Sequence, residues 1–184
     1  MRDSSTQLTF VFDLDNTLVE TDIANSLAYI DAIALVLGTT VSWDFSSRFT
    51  RERLSSMFPG LSDELYNRVI RAKNGCFQAH IAETTLNMNL VRILNCLHQN
   101  RNRTILLTNS HRGRALDICN HYGITQLFSE QYFAEDKESG TKYDILVRNG
   151  YDLDAVVLFE NEADCARQAV ERGIAEINII NVKF

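Results

Sequence analysis

Proline occurs once in this 184-residue chain and cysteine four times, without a Cys-x-x-Cys pair, and no stretch approaches the apolar length of a membrane span. The scarcity of proline excludes Pro-rich linkers, and 45% hydrophobic with 23% charged residues is the composition of an ordered globular chain. The spacing of Cys76, Cys96, Cys119 and Cys165 speaks against a zinc site or a redox motif, so reduced and mostly buried thiols in a cytoplasmic protein are expected. An excess of positive charge is also missing. At a formal net charge of -6 the chain has no global attraction for nucleic acid or an anionic membrane. The opening Met1-Arg2-Asp3-Ser4-Ser5-Thr6-Gln7 is polar and lacks the apolar segment of a signal peptide.

What is present is a β-α-β rhythm. Apolar β-rich runs fall at residues 8–12, 104–107, 155–159 and 177–182, with a weaker candidate at 131–134. Helical patterns at 113–122 and 163–172 each end in Gly-Ile, the punctuation of a helix passing into a strand. These imply an α/β, Rossmann-like parallel sheet wrapped by helices. Between residue 20 and about 85 no β-like run appears. There Ile23, Leu27, Ile30, Ala34 and Leu37 predict one face of a helix closed by Gly38. Further helices are expected from residue 46 or 50 to 57, before Pro59-Gly60, and from 62 to about 82, with Ser62 as N-cap. The expected organisation is a core of residues 1–20 and 85–184, interrupted by a helical subdomain at 21–84.

The first strand ends in Phe12-Asp13-Leu14-Asp15-Asn16-Thr17. Ligands bind open α/β sheets beyond the carboxyl ends of their strands. Alternate residues of an extended segment share a side, so Asp13 and Asp15 face one site while Leu14 returns to the core. Two anions held so close call for a cation, and oxygen-only ligands favour magnesium. Thr108-Asn109 ends a second strand, Lys142 opens a helical segment after Glu138-Ser139-Gly140-Thr141, and Glu160-Asn161-Glu162 ends a third strand. An acid pair, a hydroxyl, a lysine and further oxygens suit phosphoryl transfer to a carboxylate, because metal and lysine neutralise phosphate charge while the hydroxyl orients its oxygens.

This set resembles the haloacid dehalogenase superfamily, over nearly the whole chain. Asp13-Leu14-Asp15-Asn16-Thr17 is similar to its Asp-x-Asp-x-Thr signature. The resemblance implies that Asp13 is a nucleophile forming an aspartyl phosphate and that Asp15 is the general acid/base. Asp13 and the Asp15 backbone carbonyl would touch Mg2+, Thr108 would bind phosphate, and Lys142, with Lys137 as its rival, would steady nucleophile and phosphate. The family's metal-binding aspartate falls on Asn161, which brings no charge. Glu160 is then a compensating metal ligand, with Glu162 and Asp164 as supporting acids.

The helical insertion resembles the cap of the phosphoglycolate phosphatase and β-phosphoglucomutase branch, which closes over the site. By that likeness Arg51 and Lys73 would meet a second anionic group on the substrate, and Tyr29 would line the pocket. Asn25 stands where the mutase branch has a histidine, which favours plain hydrolysis. Asn109, Ser110, His111 and Arg112 follow Thr108 where relatives contact substrate. The implied function is Mg2+-dependent hydrolysis of a small phosphorylated metabolite. A phosphomutase and a catalytically weakened binding relative, the latter suggested by Asn161, are the alternatives. A dehalogenase is disfavoured by Asp15, and a receiver domain by the acids that follow the lysine.

Overall fold

The computed structural model describes residues 7–184, so most of the polar N-terminal stretch lies outside the described residues. The chain forms two compact units, one built from the residues up to Val19 together with Leu86–Phe184, the other from Glu20–Thr85.

The first unit holds five parallel strands in the order β5-β4-β1-β6-β7, where β1 is Thr9–Phe12, β4 Arg103–Leu107, β5 Glu130–Tyr132, β6 Val156–Glu160 and β7 Ile179–Asn181. Helices α4 (Met88–Gln99), α5 (Arg112–His121), α6 (Asp144–Arg148) and α7 (Ala163–Glu171) alternate with them. The pattern of alternation sorts the strand side chains onto two faces. Val11, Ile105, Leu107 and Leu158 pack with Tyr143, Ile145, Leu146 and Ala169 in one buried cluster. Phe12 turns the other way and stacks on Phe159, with ring centroids 4.5 Å apart. β1 and β6 are buried on nearly every residue, as central strands of a parallel sheet must be. They carry Asp13 and Glu160 to the same sheet edge.

Helix α4 was not expected from the sequence. Its signals are Asn87, whose side chain accepts from the Leu90 N–H, and the buried pair Leu90 and Leu94 one turn apart. The weak strand candidate at 131–134 lies one register earlier, at Glu130–Tyr132.

In the second unit, α1 is Asp22–Leu37, α2 Arg51–Met57 and α3 Asp63–Cys76, followed by a 3-10 turn over Phe77–Glu83. Thr50 and Ser62 cap α2 and α3 through their hydroxyls, and Gly38 ends α1 with a left-handed φ of 67°. Strands β2 (Val19–Glu20) and β3 (Thr85–Leu86) pair where the chain passes between the units, although no strand was expected there. The face of α1 also differs from expectation. Ile23 is exposed and the buried stripe runs through Ala24, Ala28, Tyr29, Ala32 and Ile33. Apolar residues occur all round α1, so hydrophobicity alone cannot select its face. No helix among the described residues is long and apolar enough to cross a membrane.

Candidate active site

Beyond the end of β1 the sheet continues for one bond, from the Asp13 N–H to the Phe159 carbonyl at 3.0 Å. The chain then turns sharply. Asn16 takes φ 56°, a left-handed conformation that asparagine tolerates better than most residues, and the N–H groups of Thr17, Leu18 and Val19 all point to the Leu14 carbonyl. Leu14 is fully buried, as alternation predicts. The turn brings the Thr17 hydroxyl to 3.2 Å from Asp13 Oδ2 and 3.0 Å from Asn161 Oδ1. Asn161 therefore sits beside the first aspartate, at the end of β6.

Lys142 enters from the segment before α6 and is 2% exposed. Its Nζ lies 2.6 Å from Asp13 Oδ1 and 2.8 Å from Glu160 Oε2. Lys142, rather than Lys137, is thus the lysine that reaches Asp13. Tyr143 donates its hydroxyl to Glu160 Oε2 at 2.9 Å, and Glu160 Oε1 accepts the N–H groups of Asn161 and Glu162 at 3.0 and 3.1 Å. Glu160 is thus the second carboxylate of Lys142. Burial pushes the Asp13 carboxyl up to about 7, an effect that Lys142 opposes and Glu160 reinforces. Burial also opposes charge on Lys142, but the two carboxylates outweigh it and hold the ammonium well above its usual range.

Asp15 has a different cation. Arg114 grips it with both arms of its guanidinium, Nη2 to Oδ1 at 2.5 Å and Nη1 to Oδ2 at 3.1 Å, and the Ser110 hydroxyl donates to Oδ2 at 2.5 Å. Each of the two aspartates thus has a protein cation beside it, Lys142 for Asp13 and Arg114 for Asp15. Arg114 was missed. The available signal was its place four residues after Ser110, one helical turn on.

Thr108 is buried at the end of β4, where its hydroxyl accepts the Ser110 N–H at 3.1 Å. Asn109 next to it is exposed. His111 and Arg112 turn toward the loop after β5. His111 Nδ1 lies 3.1 Å from Glu135, while Arg112 donates to Asp136 at 3.0 Å and covers the Phe133 ring. The structure does not bring these two into the aspartate cluster.

Asn25, Tyr29, Arg51 and Lys73 belong to the helical unit. Asn25 donates to the Phe49 carbonyl at 3.0 Å and Tyr29 stacks on the Phe49 ring at 4.7 Å. The Lys73 ammonium lies 5.3 Å from the centre of the Tyr29 ring and 5.8 Å from that of Phe77, packed as a cation against aromatic faces. Arg51 is exposed and hydrogen-bonds Tyr29, whose hydroxyl is raised by burial and lowered in part by that arginine.

No group of three or more His, Cys, Asp or Glu suited to a metal occurs among the described residues. Gathered at the end of β1 are the Asp13 carboxylate and the Asn161 amide oxygen, joined through Thr17, with the Asp15 backbone carbonyl in the same turn. One carboxylate with neutral oxygens fits a hard cation that retains water and leans on substrate phosphate, as magnesium does. The cysteines play no part in this chemistry. Burial pushes Cys119 and Cys165 up to about 12, although Cys96 is exposed.

No protein-family model matches the chain, and no curated protein matches it. Solved structures do. CbbY from Rhodobacter sphaeroides, solved with phosphate and as a variant with xylulose-(1,5)-bisphosphate, is 18% identical at a TM-score of 0.78, covering 97% of this chain and 87% of that one. A predicted phosphoglycolate phosphatase from Haemophilus somnus is 17% identical at 0.76, covering 95% and 84%. A haloacid dehalogenase-like family hydrolase from Streptococcus pneumoniae is 20% identical at 0.72, covering 91% and 82%. The chain has the fold of the haloacid dehalogenase-like proteins.

Proposed function

We propose that the protein is a magnesium-dependent phosphatase that hydrolyses a small phosphorylated metabolite through an aspartyl phosphate on Asp13. The observation that carries this reading is the pairing of Asp13 with Lys142, which holds a carboxylate at the sheet edge with a buried ammonium 2.6 Å away. The fold agrees with it, and one structural neighbour was solved with phosphate.

In the reading, a carboxylate oxygen of Asp13 attacks phosphorus while the ester P–O bond breaks, and the Asp15 carboxyl gives its proton to the departing oxygen. Water then attacks the phosphorus and gives a proton back to Asp15, releasing phosphate and restoring Asp13. Lys142 offsets charge on the transferring group, and Glu160 with Tyr143 keeps the ammonium in place. Thr108 is assigned to a phosphate oxygen. Asp13, the Asp15 carbonyl and Asn161 would hold Mg2+, which when bound supplies Lewis-acid stabilisation of phosphate charge. Glu160 is assigned to holding Lys142, with Tyr143 and two backbone N–H groups on its oxygens. The helical unit is proposed as a cap that selects substrate, with Arg51 and Lys73 as its candidate anion contacts.

Asn161 favours a second reading, a relative that binds a phosphorylated ligand without turnover. Phosphate release from p-nitrophenyl phosphate and from a panel of sugar and acid phosphates, with magnesium or with chelator, separates the two. Release that needs magnesium supports the phosphatase. Saturable phosphate binding with no release supports the binding relative, and release unchanged by chelator contradicts the metal assignment.

A further inference from the structure

We infer that Arg114 is a positioning residue for proton transfer, acting through Asp15; the inference rests on the phosphatase reading. Arg114 and Asp15 side chains are 9% and 14% exposed, so this is a largely desolvated pair and not a solvated surface contact. Its geometry is bidentate, with one guanidinium nitrogen on each carboxylate oxygen. Rotation of the Asp15 carboxylate about its side-chain bonds breaks both contacts, so the fork fixes orientation as well as distance. Ser110 ties the assembly to the end of β4, since its hydroxyl donates to Asp15 Oδ2 and is itself held by Arg114 Nη1. Helix α5 sets the spacing, because Arg114 follows Ser110 by one turn and folds back over it.

The arrangement divides two cations among three carboxylates. Lys142 serves Asp13 and Glu160, while Arg114 serves Asp15. Roles are separated in the same way. The nucleophile is fixed by an ammonium shared with a second acid, and the acid/base by a planar fork that lysine cannot reproduce. A proton donor must meet the departing oxygen within hydrogen-bond reach, and loss of its orientation costs rate in the chemical step more than in binding. For that step Asp15 takes a proton from water on one oxygen, releasing one arm of the fork while the other arm keeps its orientation, and passes it to the ester oxygen as the P–O bond breaks and the bond from Asp13 to phosphorus forms. The demand for the proton is greatest when the leaving oxygen is basic.

The test compares phenyl phosphate, with a basic leaving group, and p-nitrophenyl phosphate, with a weakly basic one of similar shape. Arg114→Ala is expected to lower kcat on phenyl phosphate about a hundredfold, with little change in KM and a loss about tenfold smaller on p-nitrophenyl phosphate. Added guanidinium ion is expected to restore part of the Arg114→Ala rate. Arg114→Lys keeps the charge and guards against a folding defect in the alanine variant. It is expected to show the same leaving-group dependence. Equal losses on the two esters, or a change confined to KM, would overturn the inference. A wild type that turns over neither ester removes the phosphatase reading and this inference with it.

Discussion

The Lys142 ammonium lies 2.6 Å from Asp13 Oδ1 although 129 residues separate them in the chain. The parallel sheet makes this contact. β1 delivers Asp13 at its carboxyl end, β6 delivers Glu160 alongside, and the segment before α6 lowers Lys142 between them. A buried ammonium shared by two carboxylates is stable only when each partner is hydrogen-bonded, which Thr17 does for Asp13 and Tyr143 for Glu160.

The Tyr143 contribution is measurable. Tyr143→Phe removes the hydroxyl donated to Glu160 and leaves the packing of the ring. A hydrogen bond to a buried carboxylate is worth about 1.5–3 kcal/mol, and urea unfolding should show a loss of that order with an unchanged slope. A loss within error of zero would mean that Lys142 and the backbone suffice to hold Glu160.

Asp15→Asn should reduce turnover about a hundredfold or more, because an amide neither gives nor takes the proton. Steady-state kinetics on the best substrate found in the panel would check it, and wild-type rates would exclude Asp15 as the acid/base.

Stability should depend on pH through Asp13. Its carboxyl is raised in the folded protein to about 7 from a usual 3.8, so the folded state prefers the protonated form. The contribution is fully present below the usual value and is lost as pH rises through about 7. Lys142 is raised well above its ordinary range, so its own contribution does not change in that window. In chelator, the melting temperature of Asp13→Asn relative to wild type should therefore rise between about pH 4 and about pH 7 and level off above that. A difference that is flat or falls with pH would contradict the assignment.

The strands that build the site were readable because parallel-sheet strands are continuous apolar runs, and Asp13, Thr108 and Asn161 each follow the end of one. Lys142 is preferred to Lys137 in the sequence because a short helical segment follows it, and its ammonium beside Asp13 agrees. Arg114 was hidden because its partner lies 99 residues away, and an arginine in a helix reads as a solvated charge. Glu160 is legible in sequence as an acid beside Asn161, but the tyrosine and lysine that engage it are not. His111 and Arg112 stand in the right loop, yet their side chains engage Glu135 and Asp136 from the loop after β5.

In the proposed reading Glu160 serves Lys142, and the charge that Asn161 lacks is not replaced. Asn161→Asp should then tighten magnesium binding about tenfold in calorimetric titration, the scale expected from one added carboxylate ligand. Glu162→Gln and Asp164→Asn should leave the affinity near wild type. An Asn161→Asp protein with unchanged magnesium affinity would place the metal elsewhere.

The central claim is that the phosphoryl group passes through the Asp13 carboxylate. Wild-type protein quenched in acid during turnover of p-nitrophenyl phosphate, then reduced with borohydride, converts an aspartyl phosphate to homoserine, which peptide mass spectrometry locates. The account predicts homoserine at position 13 in the presence of magnesium and substrate, and none in Asp13→Asn. Turnover without homoserine at position 13, or homoserine at another aspartate, would contradict it.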